Sequence, residues 1–142
     1  MIYLIDIPKI THATPSASIV FAPRSLIWAG DGVANIWDAS GVANCKTNSV
    51  RTKFINGDTL TFDSTGSNNV PVVVAGTPLP ALTVFNATKN YTLNGPGSIA
   101  GTNKLLKTGS GTLTLNNTNT YSGGTIIRPP GNMTANRAIS PP

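Results

Sequence analysis

The chain contains no glutamate. Its acids are all Asp (Asp6, Asp31, Asp38, Asp58, Asp63), five against ten Lys and Arg, for a formal charge of +5 over 142 residues. Charged side chains make up 11% of the sequence, well below the ~25% of an average globular protein. That shortage excludes a helical bundle, whose exposed positions call for Glu, Lys and Arg. It also excludes charge-driven disorder, because 39% apolar content with little charge can still bury a core. Cys45 is the single cysteine, so no disulfide can close within the chain. Long apolar runs are missing as well, and none reaches the ~18 residues of a transmembrane helix.

Thr (19), Asn (15) and Ser (11) fill the gap, with 14 Gly and 11 Pro. This is the composition of Thr-rich strands joined by Gly and Asn turns. The basic residues are scattered, and their densest group (Lys46, Arg51, Lys53) holds no aromatic. Nucleic-acid recognition asks for clustered cations with interleaved aromatics, so no nucleic-acid partner is expected. Met1–Asp6 lacks the basic start and the apolar length of a secretory signal.

From Phe54 onward, apolar residues alternate with Thr: Leu60 and Phe62, Leu82 and Val84, Tyr91 and Leu93, Leu113 and Leu115. Each pair marks a short strand with its apolar members inward and Thr outward. Turn residues separate the strands, Asn56-Gly57 and Asn94-Gly95 among them. Two architectures fit: an antiparallel β-sandwich, or a solenoid whose coils stack in parallel. The expected division is a linker or upstream tail over 1–25, partly disordered, then a Trp-containing cap or first coil over 26–53. A repeat region follows over 54–128, and a Pro-rich disordered tail over 129–142. Pro129 and Pro130 oppose strand and helix alike, so the last coil is expected to stop at Ile127.

Lys107-Thr-Gly-Ser-Gly-Thr-Leu-Thr-Leu, then Asn119-Thr-Tyr-Ser-Gly-Gly-Thr125, closely resembles the autotransporter-associated β-strand repeat, also called the passenger-associated transport repeat. Phe54-Ile-Asn-Gly-Asp-Thr-Leu-Thr-Phe-Asp63, the Trp28–Asp38 segment and Tyr91–Gly101 are similar to other steps of proteins that carry it. Cys45 stands where the family usually has Trp. The resemblance implies an all-β fold: a right-handed, pectin-lyase-like parallel β-helix of about three coils. It implies a non-catalytic passenger or stalk segment of a secreted or surface-exposed protein, associated with the outer membrane of a Gram-negative-type bacterium. Its partners would be adjacent β-helix coils of a larger chain. The structural residues so marked are Trp28, Gly30, Gly32, Trp37, Asn56, Gly57, Asp58, Gly109, Gly111, Leu113, Leu115, Asn119, Tyr121, Gly123 and Gly124.

Sharper chemistries find little support. His12 has no partner of metal-ligand or catalytic type nearby in the sequence. Asp58 and Asp63 could pair for sugar chemistry, but both sit in turn contexts. Asp31, Asn35 and Asp38 offer oxygens for Ca²⁺ without an EF-hand spacing. No cofactor, metal or catalytic residue is expected. Asn-x-Ser/Thr triplets at Asn86, Asn90, Asn116 and Asn132 carry no weight in a chain so rich in these residues. The alternative function is a carbohydrate-binding or adhesin module contacting extracellular glycan, with Trp28 and Trp37 as stacking candidates. A polysaccharide lyase or hydrolase ranks third.

Overall fold

A computed structural model describes residues 22–135; residues 1–21 of the linker expected over 1–25, His12 among them, and residues 136–142 of the tail lie outside the described residues. There is no helix among the described residues. Two sheets are built from strands taken alternately along the chain. Sheet I stacks β1 (Ser25–Trp28), β5 (Thr59–Phe62), β7 (Leu82–Phe85), β9 (Lys104–Lys107) and β11 (Thr125–Ile127), all parallel. Sheet II stacks β2 (Ile36–Trp37), β6 (Val72–Val74), β8 (Tyr91–Asn94), β10 (Thr112–Leu115) and β12 (Asn132–Ala135), also parallel. This pairing excludes the antiparallel sandwich. The chain is a parallel β-solenoid of about four turns, wound with the right hand that parallel crossovers take. The estimate of three coils is short by one, because Ser25–Trp37 supply a first rung and β12 extends the last.

Period and register follow from the side chains. Leu113 pairs with Tyr91, and Leu115 with Leu93, so all four point into one interior. Phe62 and Phe85 stack at 4.3 Å, with Trp28, Trp37, Phe54 and Tyr91 around them. No coil could bury such residues alone; each needs a neighbour above or below.

The strand β7 overturns one expectation. Leu82 and Val84 face outward and are half-buried, while Thr83 and Phe85 are inside. The register matches Phe85 to Phe62 and Thr83 to Leu60. Aromatic stacking outweighs the burial of two aliphatic side chains here, since it adds contact energy beyond area alone. The cost falls on Thr83, fully buried, whose Oγ1 has no hydrogen-bond partner among the described residues.

The two ends differ. Between β2 and β5 the chain forms a hairpin of β3 (Cys45–Thr47) and β4 (Val50–Thr52). β3 pairs antiparallel with β1 along its outer edge, so the N-terminal edge of sheet I is covered. At the other end β11 and β12 are edge strands. The expectation that the last coil stops at Ile127 is corrected: Gly131 donates to Arg128 O at 2.7 Å, and Asn132–Ala135 then pair with β10. Pro129 and Pro130 occupy the corner between the sheets, where no ladder donor is required of them.

Candidate functional site

The residues marked in the sequence gather at two places. At the N-terminal end, Trp28 and Trp37 are 0% and 1% exposed. Trp28 stacks on Phe62 at 5.3 Å and donates its Nε1 proton to Ser67 O at 3.0 Å. Trp37 meets Phe54 edge-on at 5.6 Å. Both rings are core side chains, and a glycan cannot reach the face of a ring inside the core. Gly30 adopts φ +67, and a Cβ there would meet Asn35 Oδ1 at 2.6 Å. Asn35 earlier counted only as a weak Ca²⁺ ligand. It is a buried tie: its Oδ1 accepts from Gly32 N at 2.8 Å, and its Nδ2 donates to Val70 O at 3.1 Å on the next turn. Asn44, buried likewise, donates to Ile36 O at 3.0 Å. Neither role was legible locally, because the partner of each lies far along the chain or across a turn.

The carboxylates are engaged in structure. Asp31 Oδ1 accepts from the Val33, Ala34 and Asn35 amides at 2.9, 2.9 and 2.8 Å. These bonds, led by that from Asn35, hold its pKa below the ordinary value. Asp38 accepts from Val42 N at 3.0 Å. Asp63 accepts from Thr65 N at 2.8 Å. Asp58 forms a two-pronged pair with Arg24, Oδ2 to Nη2 at 2.6 Å and Oδ1 to Nε at 3.1 Å, and also takes Ile55 N at 3.0 Å. Burial alone would raise its pKa; the hydrogen bonds from Arg24 and Ile55 outweigh it and hold the pKa down. Asn56 Oδ1 accepts from Leu79 N at 2.9 Å, while Gly57, at φ +98, donates to Leu79 O at 2.8 Å. Burial drives the Cys45 thiol up to about 12, which leaves it a core side chain. Among the described residues no group of three His, Cys, Asp or Glu is placed to hold a metal ion.

The second place is the turn that begins in β9. Lys107 is the feature the sequence hid. It alternates with Leu105 on the inward side and is 2% exposed. Its Nζ curls back to Thr108 O and, at 2.8 Å, to Gly109 O. Burial lowers its pKa. Gly109 at φ +58 makes the bend that presents those carbonyls. Gly111 N donates to Ala87 O at 2.8 Å, and a Cβ on Gly111 would collide with the Lys89 backbone. Leu113 and Leu115 are fully buried. Asn119, also fully buried, accepts from Ile99 N at 2.9 Å and from Asn117 Nδ2 at 2.8 Å. Asn117 Nδ2 also reaches Gly97 O at 3.1 Å. Tyr121 shares a 2.7 Å bond with Thr125 Oγ1. Gly123 N donates to Asn103 O at 3.0 Å; Gly124, at φ +86, closes the turn. Every one of these residues faces the previous turn or its own corner.

Residues 105–128 match the family model of the passenger-associated-transport-repeat. No curated protein and no solved structure matches the chain. The repeat coincides with a structural unit: Leu105 pairs with Thr125, so the matched segment is one turn of the solenoid plus the strand that starts the next. Its invariants of spacing become geometry. The Lys caps the corner carbonyls, the two Gly permit close approach, the Leu pair fills the interior, and the buried Asn locks onto the turn before.

Proposed function

We propose that this chain is a non-catalytic structural segment, a passenger or stalk, of a secreted or surface-exposed bacterial protein, and that its partners are further solenoid coils. The observation that carries the reading is the direction of the transport repeat's bonds. Asn117, Asn119, Leu113 and Leu115 join their turn to the preceding one, Lys107 and Tyr121 tie their own corners, and none of these side chains is left converging on a cleft. The carboxylates support it, since Asp31, Asp38, Asp58 and Asp63 each satisfy a turn or an ion pair. The open end supports it too: Ile127, inward by register with Lys107, is 47% exposed, and Met133 is only partly covered. A coil stacked there would bury both.

The test appends a second copy of residues 116–135 directly after Ala135, which keeps the register because Ala135 pairs with Leu115. The thermal midpoint should rise by several degrees over a control with a Gly/Ser segment of equal length. Surface labelling of intact cells that express the chain with its flanking sequence should match the labelling of lysed cells. A midpoint no higher than the control sinks the stacking role, and labelling only after lysis sinks the location. Reducing-sugar release from a polysaccharide panel, expected to be nil, would move the assignment to the hydrolases. Trp burial weakens the glycan-binding alternative, which a glycan array addresses directly.

A further inference from the structure

The outer surface of sheet I carries side chains that the stacking role does not use. Because β7 turned its aliphatic residues outward, the register brings Ile27, Val84, Leu106 and Ile126 into one row across the strands, interrupted only by Thr61. Leu82 lies beside Val84 on the same surface. Ile126 is 38% exposed and the others are half-buried, with nothing among the described residues stacked on them. The row does not end in solvent-neutral groups. It runs into Lys46 and then Arg51, which the hairpin pairs in register with Ile27. Lys104 borders it beside Leu82, and exposed Arg128 follows the end of β11.

Four cations thus border an apolar row, two of them tied to neutral oxygens of the fold: Lys46 Nζ to Thr65 Oγ1 at 3.1 Å, and Arg51 to Gly30 O at 2.8 Å and Ala43 O at 3.2 Å. None of them has a carboxylate within ion-pair distance, since the one ion pair among the described residues is Arg24–Asp58. Asp63 Oδ1 accepts from the Thr65 amide and hydroxyl, and that hydroxyl oxygen in turn accepts from Lys46 Nζ at 3.1 Å. The outer side of sheet II is a useful contrast: Ile36, Val73, Thr92, Asn94, Thr112, Thr114, Asn132 and Thr134 bring no charge at all. The cationic rim therefore belongs to the surface that is also apolar.

We infer that the outer face of sheet I is a docking surface for an anionic lipid bilayer. Charge complementarity selects the occupant: aliphatic side chains enter the boundary between headgroups and acyl chains, while long Lys and Arg side chains reach the phosphates around them. A cavity lined by Arg24, Ile55, Asn56 and Asp58 among others lies off this row. The inference goes beyond the stalk assignment and does not depend on it.

The experiment is co-sedimentation of the 142-residue chain with vesicles of phosphatidylcholine, alone or doped with phosphatidylglycerol. Binding should require phosphatidylglycerol and weaken steeply as salt approaches about 1 M, where the Debye length is roughly 3 Å. Lys104→Gln with Arg128→Gln should lower the partition coefficient roughly fivefold for each cation removed. Val84→Glu with Leu106→Glu should abolish binding while far-UV circular dichroism keeps its β signature. If the Glu pair unfolds, the Gln pair, at exposed positions, still decides the matter. Equal pelleting with both vesicles, none with either, or binding that neither pair reduces would overturn the inference. Binding to poly-glutamate as strong as to the anionic vesicles would also overturn it, in favour of an acidic protein partner.

Discussion

The two ends of this solenoid are built on opposite plans. At the N-terminal end a hairpin covers the edge of sheet I, six aromatic rings pack within the first three turns, and Arg24–Asp58 clamps the entry. At the C-terminal end the strands β11 and β12 keep free edges, and Ile127 stands half in solvent. The cover is confined to sheet I, where the hairpin's β4 becomes the outermost strand, while β2 is the edge of sheet II at that end; a free edge is a template for another strand. The difference teaches that the segment has a direction: its stability is concentrated where the stack begins and falls toward the side on which a coil can be added.

The largest expected effect tests that gradient. Phe62→Ala removes the ring shared by Trp28, Trp37, Phe85 and Tyr91 and should lose about 3–5 kcal/mol in urea unfolding. Ile127→Ala at the open end should lose less than about 1 kcal/mol. Equal losses at the two positions would erase the asymmetry. Next comes Asn119→Ala, which strands the Ile99 amide inside the core and should cost about 1–3 kcal/mol. Hydrogen exchange should then grade the stack directly, with amides of β5 and β7 protected longest and those of β11 and β12 exchanging first. Uniform protection would mean the turns unfold as one unit.

Two smaller effects depend on pH. The Asp58 pKa is held down in the fold, so its contribution is present above the unfolded value of ~3.9 and lost as pH falls through the folded one. Arg24 is partly exposed, and solvent screening limits the pair to about 1 kcal/mol. Asp58→Asn should therefore flatten the acid limb of the thermal midpoint near pH 4, an effect of the N-terminal end. Lys107, toward the other end, has the same sign but acts in the alkaline range. Its folded pKa is lowered by burial, so the fold binds fewer protons than the unfolded chain. Stability should rise as pH climbs through the folded pKa toward the ~10.4 of an unfolded lysine. Lys107→Met should remove that alkaline rise.

Much of the coil was legible from spacing. Leu113 and Leu115, or Tyr91 and Leu93, alternate with Thr, and such pairs can fill an interior only if turns stack. Gly109 and Gly111 announced a tight corner, and the residue pattern from Lys107 to Thr125 placed the repeat. Other features were hidden because their meaning is a relation between turns. Lys107 looked like a surface cation until its neighbours in the stack, Phe85 and Ile127, put it inside. Trp28 and Trp37 could have been exposed or buried with the same spacing. The proline pair suggested an end, yet a corner tolerates Pro as readily as a tail does.

By itself the sequence determined that the chain is made of short strands, where its turns fall, and which segment carries the transport repeat. Those are properties of neighbouring residues, set by side-chain alternation and by the backbone freedom of Gly and Asn. Tertiary structure alone decided which way β7 faces, that a hairpin covers one end, and that four cations and an apolar row share one flank. Each of those depends on the register between turns some 20 to 35 residues apart, and a shift of one residue would have turned every side chain to the other face.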